Sequence, residues 1–85
     1  MNAVPRKGEK NAEPYEPWEH AAKELIEAEM IRRNIRYKEL ARMLEKLGIN
    51  ESPEQINRKV LRRRFSAAFL VACLLAMGAE TISLK

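Results

Sequence analysis

The chain has 85 residues, 33% charged and 46% hydrophobic, which suits one small soluble domain and argues against a disordered or collagen-like chain. Sixteen Lys and Arg stand against twelve acids, all of them Glu, giving a net charge of +4, and there is no Asp, one His and one Cys. Lone His20 and lone Cys73 exclude a multi-ligand zinc site and a disulfide framework, the lack of Asp excludes a Ser-His-Asp triad, and three widely spaced glycines exclude a phosphate-binding loop. The expectation is a binding protein, not an enzyme, with no metal and no cofactor.

Residues 1–17 hold three of the four prolines, one glycine and alternating charges without apolar periodicity, and are expected to form a flexible N-terminal arm. Residues 18–85 are expected to form one helical domain, because no alternating or β-branched run is long enough for a sheet.

The first helix is expected from Pro17 or Trp18 to Arg33, on a stripe of Trp18, Ala22, Leu25, Ile26 and Met30, with Asn34 as its stop. The second covers Tyr37 to Leu47, with Leu40, Ala41, Leu44 and Leu47 on one side, Gly48 after it, and Arg36 where a capping Ser, Thr or Asp would normally stand. Ser52-Pro53-Glu54-Gln55 combines a capping hydroxyl, a first-turn proline and Gln at the third position, so the third helix begins here and ends near Arg63. Ser66 then caps a fourth, apolar helix over 67–77, closed by Gly78, and Thr81 to Leu84 form a short tail. At eleven residues, the apolar run is far below the roughly 20 needed to span a bilayer, so no membrane association is expected and the location is taken as cytoplasmic.

Charge is not spread evenly. Residues 1–17, 18–51 and 65–85 each sum to zero, whereas 52–64 carry Arg58, Lys59, Arg62, Arg63 and Arg64 against Glu54 alone. On a helical wheel Ile56, Val60 and Leu61 fall on one half of the third helix, and Gln55, Arg58, Lys59 and Arg62 on the other. A basic stripe of this kind is either a solvated face or a surface for a polyanion, and its lack of counter-charge favours the second.

The residues Tyr37-Lys38-Glu39-Leu40-Ala41, Gly48-Ile49, Ile56, Val60 and Arg62 resemble the helix-turn-helix of the lambda-repressor-like (Xre) class. The closing segment Phe69-Leu70, Leu74-Leu75 and Met77-Gly78 agrees with that pattern. A closer resemblance, over Trp18 to Gly78, is to small bacterial proteins grouped as a domain of unknown function, number 6471. It rests on the leading Trp, the pair Glu29-Met30, the Tyr-x-Glu-Leu-Ala segment and Phe65-Ser66. The resemblance implies an all-α fold, a small four- or five-helix domain with a lambda-repressor-like helix-turn-helix. Two departures from the repressor pattern imply a second helix about a turn longer with a wider connection to the third, and a third helix that can run on, because Arg63 replaces the usual terminal glycine.

By the same resemblance the third helix enters the major groove, with Gln55 and Arg58 as base readers and Lys59 and Arg62 close behind. Arg63, Arg64, Lys38 and Tyr37 would meet phosphates, Ser52 could lend its hydroxyl, and Arg6, Lys7 and Lys10 could follow a minor groove. The expected function is sequence-specific binding of double-stranded DNA by a bacterial or phage-type transcriptional regulator, as a homodimer through the apolar helix 67–77. The alternative is a helical protein-interaction adaptor whose basic helix docks on an acidic partner or an RNA-bound complex.

Three further residues carry expectations. Trp18 reads as a core anchor at the end of the bundle rather than as a base-stacking platform, and Cys73 as an inert core thiol. Glu29 falls on the apolar side of the first helix, where a buried carboxylate needs a cation such as Arg63 or Arg33 unless it snorkels to solvent.

Overall fold

The computed structural model describes residues 14–84, so what is expected of residues 1–13, including contacts from Arg6, Lys7 and Lys10, lies outside the described residues. Four α-helices follow in order: α1 (Glu16–Arg33), α2 (Tyr37–Glu45), α3 (Pro53–Arg62) and α4 (Ala67–Ala76). The described residues are thus all-helical, with no strand. No helix among them is long and apolar enough to cross a membrane.

The helix starts follow the local chemistry. Pro17 sits in the first turn of α1, with Glu16 and Glu19 at its positive end and Arg32 and Arg33 at its negative end. The helix therefore begins one residue before the proline and takes in two residues assigned to the arm. At α2 the carboxylate of Glu39 accepts from the Arg36 backbone N–H at 2.9 Å, so a glutamate on the third position replaces the missing capping hydroxyl. This bond, foremost among its causes, holds the Glu39 carboxyl below its ordinary pKa. Ser52 Oγ accepts from Gln55 N at 3.1 Å while Gln55 Oε1 accepts from Ser52 N at 2.8 Å, the reciprocal capping box of α3. Ser66 Oγ accepts from Phe69 N at 3.0 Å and starts α4.

A residue in the left-handed region follows every helix: Asn34 and Arg63 directly after α1 and α3, Gly48 and Gly78 three and two residues after α2 and α4. After α1, α2 and α4 the residue that follows donates back five positions, from Ile35 to Met30, Ile49 to Leu44 and Ala79 to Leu74, at 2.8 to 3.0 Å. Ala79 is buried, and Ile35 and Ile49 pack on the core, so each stop also turns an apolar side chain inward. Arg63 corrects an expectation: α3 does not run on, because Arg63 itself adopts φ 66° and its N–H bonds Lys59 O at 3.2 Å.

The core is made of Ile26 and Met30 from α1, Leu40 and Leu44 from α2, Ile56 and Val60 from α3, and Phe69, Cys73 and Leu74 from α4, closed by Met77 and Ala79. Both α3 and α4 pack against α1 and against α2. Burial pushes the Cys73 thiol up to about 12. Glu29 is buried among these apolar residues, and its oxygens take Arg33 Nε at 2.7 Å and Arg32 Nη2. Arg33, not Arg63, is therefore the partner of the pair named from the sequence. Arg33 Nη2 also donates to the Gly78 carbonyl at 3.3 Å, joining the ends of α1 and α4.

Three apolar residues expected inside lie outside. Leu47 is exposed because α2 stops at Glu45 and the chain has already turned. Leu61 is exposed because, five residues after Ile56, it sits about 140° around α3 from it. Trp18 is 68% exposed: the first buried residue of α1 is Ile26, so the core closes two turns after the indole.

Candidate functional site

Ile56 and Val60 anchor α3 in the core, and each such burial contributes about 1.5–3 kcal/mol. With that side fixed inward, Gln55, Arg58 and Arg62 point to solvent. Together with Asn50, Glu51 and Lys59 they line a groove beside the α2–α3 connection, residues 46–52. The helix before that connection, α2, covers nine residues and stops two short of the Leu47 expected, so it is not the lengthened helix that the departure from the repressor pattern implied.

The five cations of the 52–64 segment are not equivalent. Arg58 and Arg62 are exposed, four residues apart on one face, and neither has an ion-pair partner among the described residues. Lys59 is engaged: its Nζ lies 2.5 Å from Glu51 Oε2 and 5.1 Å from the centroid of the Phe69 ring. A lysine held by a carboxylate and an aromatic face must give up both to meet a phosphate. Arg64 Nε lies 3.1 Å from Glu19 Oε2, so this guanidinium is drawn toward the start of α1. Arg63, half-buried at the α3 end, lines the same depression as Arg64, Trp18 and Tyr15.

The remaining candidates divide the same way. Gln55 is exposed, but its Oε1 is bound to Ser52 N, so reading an adenine with both amide groups would draw that oxygen from the cap. Ser52 Oγ accepts from Gln55 N and keeps its own O–H to donate. Lys38 is exposed on α2. Tyr37 lies elsewhere: its half-buried ring borders Glu27, Met30 and Ile31 of α1, and burial, then Glu27 and Cys73, raise its hydroxyl pKa.

Two residues were missed in the sequence. Arg42, four residues after Lys38, is exposed and lines a second groove with Lys38, Asn50 and Ser52. Both grooves include Asn50 and Glu51, so the cations of α2 and of α3 border one connection. The i,i+4 spacing of Lys38 and Arg42 was a visible signal, hidden by the even charge balance of residues 18–51. Glu51 gave none, because a loop residue paired eight positions on follows no periodicity.

A family model described as a domain of unknown function (DUF6471) matches residues 18–82. No curated protein and no solved structure matches the chain.

Proposed function

We propose, from the premise that the chain belongs to the DUF6471 family, that it binds double-stranded DNA sequence-specifically through the exposed side of α3, in the manner of a lambda-repressor-like helix-turn-helix. A role as a transcriptional regulator, acting as a homodimer, follows from that reading. One observation carries it: Arg58 and Arg62 project from a helix whose segment holds the whole net charge, without an ion-pair partner among the described residues. Arginines left unpaired on one face suit guanine edges and phosphates, which a fork of donors meets two at a time. Lys38 and Arg42 on α2 extend the cationic border toward the flanking backbone.

The test is selection of binding sites from random duplexes, followed by titration of Arg58→Ala/Arg62→Ala on the selected site. The double variant is expected to bind at least about tenfold more weakly with an unchanged melting temperature, and wild-type affinity should fall steeply with salt. Equal affinity of the two proteins, or selection without a consensus, overturns the reading.

A further inference from the structure

Tyr15 is 69% exposed and Trp18 68% exposed at the start of α1. With Ala22 and half-buried Phe65 they line one shallow groove, bounded by Arg63 and Arg64. The core does not use the Tyr15 and Trp18 faces, since Trp18 lies two turns before the first buried residue of α1, whereas Phe65 packs against the core. Aromatic surface of this size left in water is unusual in a small domain and marks a place of contact. Arg63 adds a second sign, because it holds a left-handed φ of 66° that glycine would take without strain.

The chemistry of the groove selects its occupant. Flat π faces take a nucleobase by stacking, and guanidinium groups beside them take the phosphate of the same nucleotide. Ala22 is its one aliphatic lining residue among the described residues, so these offer little to the Leu or Ile anchors of a docking protein helix. Arg63 directly follows Arg62 in the chain, so the cationic rim of the groove lies at the C-terminal end of the helix that carries Arg58 and Arg62. Glu19 holds Arg64 at 3.1 Å and orients it without cancelling Arg63.

We propose that the Tyr15–Trp18–Phe65 groove is a binding site for an unpaired nucleotide, next to duplex lying on α3. The site rests on the nucleic-acid reading of the preceding subsection and extends it to a junction between double and single strand. Nucleotides opened from the duplex or left as an overhang stack on the indole while Arg63 meets the backbone.

Trp18 is the chain's one tryptophan, so its fluorescence reports the site directly. The full chain is titrated with a blunt duplex, with the same duplex carrying a short single-stranded overhang, and with the single strand alone, following Trp18 emission and the anisotropy of labelled DNA. The overhang is expected to quench Trp18 and to raise affinity about tenfold over the blunt duplex. Trp18→Ala should abolish that gain without loss of helicity, and Trp18→Phe should keep most of it. Equal affinities for blunt and overhanging duplex with unchanged Trp18 emission overturn the proposal, while loss of blunt-duplex binding in Arg58→Ala/Arg62→Ala would leave the α3 reading intact. Quenching by single strand with no blunt-duplex binding supports the groove and overturns α3 as a duplex reader. No binding to any of the three overturns both and points to a protein partner.

Discussion

Glu29 shows what one carboxylate does inside a small helical core. Its oxygens meet Arg32 and Arg33, and the second of these is also bound to the Gly78 carbonyl. Removing the charge but keeping the shape, as in Glu29→Gln, leaves one amide oxygen to accept from one of the two arginines and turns an NH2 donor toward the other. Chemical denaturation should show a loss of about 1–3 kcal/mol, and an unchanged midpoint would contradict the role. The need for a partner was legible from the position of Glu29 between Ile26 and Met30. The choice of Arg33 over Arg63 was not, because it depends on where α3 ends. Cys73 gives a pH signature of opposite sign to a paired acid. Burial, then Glu51, raise its pKa, while Lys59 lowers it, from an ordinary 9 to about 12. Below 9 both states are thiols and its contribution is constant. As pH rises from 9 to about 12 the unfolded chain gains a thiolate that the folded one refuses, so stability falls across that window. Comparing wild type with Cys73→Ala in urea melts isolates this slope, which the variant should lack.

The starts of α3 and α4 were readable because capping acts over three or four residues, Ser52 with Gln55 and Ser66 with Phe69, whereas the cap of α2 by Glu39 on Arg36 was not read. The stops of the helices were readable where the residue was Gly or Asn, as at Asn34, Gly48 and Gly78. The end of α3 near Arg63 was also placed from the pattern, but not its backbone, since nothing in an arginine announces a left-handed conformation. An L-residue with a side chain pays about 1 kcal/mol there that glycine avoids. Arg63→Gly is therefore expected to raise the thermal midpoint slightly, as calorimetry would show, with the helix content of the chain unchanged. A lower midpoint would mean that the guanidinium makes contacts that outweigh the backbone strain. Trp18 marks the other limit of pattern reading. Periodicity gives the direction of a side chain around its axis, but not whether a neighbouring helix reaches that far along it.

At the scale of the whole molecule, the charge segregation found in the sequence survives folding only in part. Arg58 and Arg62 remain exposed, whereas Lys59 is tied to Glu51 and Arg64 to Glu19, both pairs distant in sequence. Which cations stay available was decided by tertiary placement, which composition does not encode. The apolar fourth helix follows the same rule: Phe69, Cys73 and Leu74 are buried, but Val71 and Leu75 stay 53% and 62% exposed. If that strip pairs with a second copy, as the homodimer reading requires, Leu75→Glu should convert a dimer to a monomer in sedimentation velocity with helicity intact. A monomeric wild type would remove the dimer from the proposal. The tie between Arg33 and the Gly78 carbonyl, with Ala79 buried beside it, also decides where the domain tolerates a scissile or fused junction. Residues 80–84 lie exposed outside any helix, so a reporter joined there leaves the fold undisturbed. Excision a few positions earlier would strip a guanidinium of one acceptor and open the hydrophobic interior at the end of α4.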